Sequence, residues 1–515
     1  MKNILTIIIL AVSISSCKKG ETIAVQEDPK PFSEVHRPQI HFTPPKMWMN
    51  DPNGMVYYKG EYHLFYQYYP DSTVWGPMHW GHAISKDLVR WEHLPIALYP
   101  DSLGMIFSGG AVVDEKNTSG FGTADNPPLV AIYTYHKAEM EKQGRNDYQT
   151  QGLAYSIDNG RTWTKYENNP VIKNPGFRDF RDPKFFWHEA SKKWILILVA
   201  GDHAILYGSK DLKSWTELSE FGKEYGSHGG VWECPDLFPL TVEGENTTKW
   251  IMIININPGG PNGGSATQYF VGDFDGQKFT SDTDKSTTSW LDYGPDNYAG
   301  VTWSNMPNNK TIFFGWMGNW DYAQVVPTDP WRSANTIARE LKLTRVNRSL
   351  HVRSIIWNGL ESLTKGQKQL AKLSFQDSLD VSAQIGFPVT MSIVQGEIEA
   401  KDFHFDFHNN QGQNVKIGFD SKTKQFFIDR KESGKTDFSP HFAKDITAPR
   451  IANAGNIKFT MVLDVSSVEV FFDDGLTVMT AVFFPEEDLS QLKLYSSAGV
   501  IKVDSLKVSQ LSSIW

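Results

Sequence analysis

One turn recurs through the first half of the chain. "AISKDLVRWEHL" begins at Ala83, "AYSIDNGRTWTKY" at Ala154 and "LYGSKDLKSWTEL" at Leu206. Each sets an Asp a few residues ahead of a Trp: Asp87 before Trp91, Asp158 before Trp163, Asp211 before Trp215. "VGDFDGQKF", from Val271, is a weaker copy with Phe279 in the Trp position. An apolar strand that ends in a Ser/Gly-x-Asp turn and returns through an aromatic residue is a hairpin. Upstream of the copies lie further hairpins, such as "MVYYKGEYHLFYQ", "KFFWHEASKKWILILVA" and "LFPLTVEGENTTKWIMIINI", each a polar turn between apolar runs. Together they make about four strands per unit at a spacing of roughly 50 to 70 residues, which is the spacing of propeller blades. Unit starts near Asn50, Ser108, Arg181, Glu233 and Tyr298 predict five blades.

Three acids keep phase with this repeat. Asp51 in "WMNDPNG", Asp182 in "FRDP" and Glu233 in "WECPDL" each precede a Pro by one or two residues. Each is expected at the same place in its unit, just before the first strand. First strands line a propeller's axis, so the three carboxyls are predicted to meet at one funnel mouth. Carboxylates gathered in an aromatic-lined pocket cannot all ionise freely, because like charges and desolvation raise at least one pKa. One protonated acid beside one ionised acid is what glycoside hydrolysis requires. A metal centre is the competing reading, with His79 and His82 of "MHWGHA" as further ligands. In a strand that spacing does not put both rings on one face, which favours packing or sugar contacts; neither metal nor cofactor is expected.

The chain has 515 residues and a net charge of -9 with no basic block, which argues against a nucleic-acid partner. At the N-terminus Lys2, the apolar run Ile4 to Val12 and "SISSC" resemble a bacterial lipoprotein signal. This predicts a signal peptide over 1–17, lipidation of Cys17, a tether over 18–35, and an exported protein held to a bacterial membrane by its lipid. Only Cys234 remains after Cys17, so no intramolecular disulfide is available. Beyond "ARELKLTRV" the repeat stops. Segments such as "FHFDFHN", "VKIGFD", "IKFTMVLDV" and "SVEVFFDDG" alternate apolar and polar residues, which predicts an antiparallel sandwich. The expected class is all-β: a five-bladed propeller over 36–350, then a β-sandwich over 351–515 that buttresses it.

"WMNDPNG", "FRDP" and "WECPDL", supported by "WGPMHWGHA", "FSGGAV", "DYGPDNYAGVTW" and "GWMGNW", resemble the motifs of glycoside hydrolase family 32. These are the invertases, inulinases and levanases, which act on β-fructofuranosides. The resemblance implies that Asp51 is the nucleophile, Glu233 the general acid/base and Asp182 the stabiliser of the transition state, with Arg181 beside Asp182 to balance charge. It also implies that Asn50, Gln67, Trp75, Phe107, Ser108 and Trp316 line a fructose pocket. Trp48 and Trp320 are further sugar-contact candidates, whereas Trp91, Trp163 and Trp215 are expected in blade packing. One departure is Gly110, where the family often has Ser or Thr. The implied activity is retaining hydrolysis of levan, inulin, fructo-oligosaccharides or sucrose, most simply exo-acting with release of fructose. An endo-levanase of the same family is the alternative. A non-catalytic surface lipoprotein that holds fructan would keep the aromatics and lose the acids, and all three acids are present.

Overall fold

The computed structural model describes residues 31–515. The expected signal peptide, Cys17 and most of the expected tether lie outside the described residues. Five strands form a ring: β1 (Met47–Tyr58), β2 (Met105–Val113), β3 (Phe180–His188), β4 (Val231–Thr241) and β5 (Tyr298–Thr302). Each packs on the next, and β5 packs back on β1. Every one of them begins an antiparallel sheet that runs outward in chain order, so the five sheets are the blades of a propeller.

The repeated Asp turn joins the third and fourth strands of the first four blades. Asp87 Oδ1 accepts from the backbone N–H groups of Val89 and Arg90, Asp211 Oδ1 from those of Lys213 and Ser214, and Asp275 Oδ1 from those of Gln277 and Lys278. Asp158 Oδ1 accepts from Thr162 N. Each Asp mimics a backbone turn, which is why the residue type recurs. The fifth blade closes the ring. Trp331–Arg332 pairs in parallel with the start of β1, and Ser304 N donates to Met55 O at 2.9 Å. The outermost strand of that blade, Ser349–Ile356, runs past residue 350 before the second domain begins.

Two six-stranded sheets make the sandwich. Along Phe403–His408 burial alternates, with Phe403, Phe405 and Phe407 turned inward, as a half-buried strand requires. Phe426 of one sheet stacks on Phe472 of the other at 3.8 Å.

Buried charges join the two domains. Arg339, in the fifth blade, donates to Asp292 Oδ2 at 2.8 Å and to the sandwich residue Glu469. Glu469 Oε1 lies 2.9 Å from His41 Nε2, and His41 Nδ1 lies 2.7 Å from Asp464 Oδ2. A second link runs from Arg430 of the sandwich to Asp296 of the propeller at 2.6 Å. Burial opposes a charge on His41, but Asp464 and Glu469 outweigh it and push its pKa up to about 9. The N-terminal segment also docks here, with Phe32 stacked on Trp515 at 3.9 Å.

Candidate active site

Each of the five inner strands carries a β-bulge in which two residues oppose one on the neighbouring strand. The bulged pairs are Asn50–Asp51, Phe107–Ser108, Asp182–Pro183, Cys234–Pro235 and Ala299–Gly300. Asp182, Cys234 and Ala299 share the first bulge position, and all three have left-handed backbone, with φ of 62°, 42° and 54°. The acids therefore lie inside the inner strands rather than just before them, and they are staggered. Glu233 directly precedes its bulge, Asp182 holds the first bulge position and Asp51 the second. The prolines misled the sequence reading because Pro normally marks the edge of a strand. Pro183 and Pro235 sit at the unpaired bulge position, where no ladder hydrogen bond is lost.

The stagger decides which side chains meet. Asp51 and Ser108 hold the same position in adjacent blades, and Ser108 Oγ donates to Asp51 Oδ2 at 2.6 Å. Asn50 Nδ2 donates to Asp51 Oδ1 at 2.8 Å and is itself fixed by Trp48 Nε1, which donates to Asn50 Oδ1 at 2.7 Å. Arg181, Glu233 and Tyr298 likewise share a position, just before their bulges. Arg181 Nη2 donates to Glu233 Oε1 at 3.0 Å, and Tyr298 Oη donates to Glu233 Oε2. Arg181 Nη1 donates to Asp179 Oδ1 at 2.6 Å, while its Nε is 3.9 Å from Asp182. The guanidinium expected to serve Asp182 thus serves Glu233 and Asp179 first. Asp182 Oδ2 accepts instead from the backbone N–H of Cys234 at 3.0 Å.

These contacts set the titration of the acids. Burial raises the pKa of Asp182; Glu233 and Asp51 add to this, Arg181 opposes it, and the result is about 7. Asp51 is also raised, by burial and then by Glu233, while the bonds from Ser108, Asn50 and Cys234 pull it down. Burial, with Glu233 next, drives the Tyr298 phenol well above its usual value, so it stays a donor.

The three acids line a cavity of about 330 Å³ together with Asn50, Gln67, Trp75, Phe107, Ser108 and Arg181. Trp316 stands behind the wall. It is fully buried against Trp48, Tyr298 and Trp320, and Trp320 supplies the lining surface. Gly110 does not line this cavity; a Cβ there would meet the Lys184 side chain at 3.3 Å. His82 is buried, stacked on Phe65 and 3.1 Å from His63, and His79 Nδ1 bonds Pro77 O. Among the described residues no group of three His, Cys, Asp or Glu side chains is placed to hold a metal ion. A larger cleft of about 470 Å³, between Trp357 and the sandwich residues Gln395 and Lys507, gathers none of the acids.

Sequence reasoning assigned no role to Tyr298, Cys234, Asp179, His136 or Glu141. Tyr298 had a usable signal, since it opens the fifth unit in phase with Arg181 and Glu233.

The chain's likeness to known proteins agrees with this geometry. Residues 41–354 match the N-terminal domain model of glycosyl hydrolases family 32, and residues 352–510 match the C-terminal model of that family. A levanase of Bacillus subtilis is 49% identical over 493 residues, covering 94% of this chain and 72% of the levanase. An extracellular exo-inulinase of Aspergillus awamori is 40% identical, covering 94% of this chain and 96% of that enzyme. A crystal structure of exo-inulinase from the same fungus superposes with a TM-score of 0.86 at 37% identity, covering 94% of this chain and all of that one. With both family models matched in order across two domains, and three acids from the inner strands of three blades lining one cavity, the chain belongs to glycosyl hydrolase family 32.

Proposed function

We propose that the protein is a retaining β-fructofuranosidase that removes terminal fructose from fructans such as levan or inulin, from fructo-oligosaccharides and from sucrose. The observation that carries this reading is the unequal setting of Asp51 and Glu233 across one cavity. Asp51 is held by Ser108 and Asn50, with no Lys or Arg paired to it among the described residues, and Glu233 is aimed by Arg181 and Tyr298. Asp51 attacks the anomeric carbon and forms an ester. The glycosidic bond breaks, and its oxygen takes the proton of Glu233. Water then attacks the ester carbon, gives its proton to Glu233 and frees Asp51, so two inversions leave net retention.

Burial and the neighbouring Glu233 and Asp51 raise the Asp182 pKa to about 7. Fructosyl hydroxyls that donate to Asp182 favour its anion. Exo action is supported by the rim. Trp75 N donates to Gln324 Oε1 at 3.3 Å, joining the first and fifth blades above the acids. The names of the levanase and exo-inulinase relatives agree with a fructan substrate.

Chromatography of products from levan and inulin tests both parts of this reading. Fructose alone from wild type, and none from Asp51→Asn, is the expected result. A ladder of oligosaccharides would assign endo action, and no sugar release would favour a fructan-holding protein. Export is supported by the extracellular relative. We place the exported enzyme on a bacterial membrane through lipidated Cys17. Cys17→Ser should release it from the membrane fraction, and an unchanged membrane fraction would remove the anchor.

A further inference from the structure

Glu141 lines the cavity, yet it takes no part in the contacts that hold the three acids. It belongs to α1 (Ala138–Lys142), a short helix that buries none of its own residues. The fold gains no core from α1, so its position over the cavity needs another reason. The helix stands in the connection between the second and third strands of the second blade, Leu129–His136 and Gln149–Ser156. Equivalent connections build the rim elsewhere. The first blade contributes Trp75, and the fifth contributes Trp320 and Gln324. The fourth blade's loop is pinned to the sandwich, where Asn262 donates to Thr447 O at 2.9 Å and accepts from Thr447 N at 3.0 Å. In the third blade the connection is only Gly201 to His203, and it adds nothing to the lining. The rim is therefore low over the third blade, and Glu141 stands on the bank beside that gap.

The side chain is also prepared. His136 is buried, stacked flat on Phe107 at 4.3 Å, with its Nδ1 3.2 Å from Gln149 Nε2. An amide N–H can only donate, so Nδ1 accepts and Nε2 carries the ring proton. Glu141 Oε2 lies 3.2 Å from that Nε2. Burial, followed by Arg181, lowers the His136 pKa to about 4, so the ring is neutral and leaves the charge of Glu141 uncompensated. Glu141 Oε1 has no partner among the described residues. Exposure rises outward through the site, from 5% at the Asp182 side chain to 20% at Glu233 and 42% at Glu141. Asp182 marks the deep, fructosyl end of that series, and Glu141 marks the end where the rest of the substrate leaves.

We propose that Glu141, positioned by His136 and Gln149, accepts hydroxyl hydrogen bonds from the sugar on the leaving-group side, and so selects polyhydroxylated leaving groups. This rests on the fructosidase reading above. The test compares kcat/KM of wild type, Glu141→Ala and Glu141→Gln on sucrose, inulin and levan with that on an aryl β-fructofuranoside, whose leaving group carries no sugar hydroxyls. Loss of a hydrogen bond to a charged group corresponds to roughly tenfold or more. Glu141→Ala should therefore lose about tenfold on the sugar-leaving substrates, chiefly in KM, and stay within about twofold on the aryl fructoside. Glu141→Gln keeps an acceptor and should fall between the two. Inhibition by free fructose should not change, because the deep end is untouched. Equal losses on both substrate kinds, or no loss on either, overturn this inference and leave the fructosidase reading standing. A wild type inactive on every substrate overturns both.

Discussion

Ser108 Oγ donates a 2.6 Å hydrogen bond to Asp51 Oδ2 from the same bulge position in the next blade. A hydroxyl aimed at a carboxylate favours the ionised form, which the nucleophilic role proposed for Asp51 requires. Ser108→Ala should cut kcat/KM by roughly 10- to 100-fold, the range for a bond to a charged group. It should also move the acid limb of the rate profile upward, because the bond that lowers the Asp51 pKa is gone. Ser108→Thr, which keeps the hydroxyl, should recover much of the rate. A limb that stays in place would mean that the bond is structural only.

Tyr298 bonds Glu233 across the boundary between the fourth and fifth blades. Tyr298→Phe keeps the ring and deletes that donor. The expected loss is about tenfold on sucrose and much less on an aryl fructoside, since proton donation matters least when the leaving group departs easily. Glu233→Ala should show the same selectivity with a larger amplitude. Stopped assays on both substrates decide it, and matching losses would separate Tyr298 from acid catalysis.

Asp182 couples activity to stability. Its folded pKa of about 7 lies above the ordinary Asp value of 3.8, so the folded protein keeps a proton that the unfolded chain has lost. Stability should therefore decline as pH rises from about 4 to about 7. Asp182→Asn removes this decline, and its Tm near pH 8 should exceed that of wild type by about 1 °C for each kcal/mol recovered. Activity should fall by at least ~100-fold in the same variant. Thermal melts at several pH values check the sign, and a lower Tm for the variant at alkaline pH would contradict it.

His41 titrates in the opposite charge sense with the same slope. Its folded pKa of about 9 exceeds the ordinary His value of 6.5. The stability it contributes is complete below 6.5 and is lost as pH rises through about 9. His41→Gln leaves Asp464 and Glu469 short of a partner in the interior and should destabilise the protein at mildly acidic pH by about 3–5 kcal/mol. It should also flatten the slope across that window. Urea titrations at three pH values measure both effects.

Much of this fold was legible because its repeats are chemical. The Asp turns after Ser85, Ser156 and Ser209 advertise themselves, and the unit starts inferred from them fall in β1 to β5. The three acids were legible because each precedes a Pro by one or two residues in a strand-rich context. Their stagger was not, because a bulge inserts one residue without leaving a mark in composition. The partner of Arg181 was lost for the same reason, since it depends on relative height between blades. Arg339 reads as one more cation in "ARELKLTRV", but it is fully buried, and its partner Glu469 lies 130 residues away. Trp316 had the right motif and the wrong depth, which only packing decides. Glu141 sits in a polar stretch that looks like any surface loop.

The charges buried between propeller and sandwich make the two domains inseparable as parts. Cutting the chain near residue 356 would strand Arg339, Asp292 and Asp296 on a newly wetted face, and would leave Glu469 and Arg430 unmatched on the other piece. Neither fragment is portable, and a sandwich borrowed from another protein would have to bring its own acid to Arg339 and its own base to Asp296. The ancestry of the enzyme should accordingly be that of one unit inherited whole, and substrate range should change by rebuilding rim connections such as α1 instead of by exchanging domains.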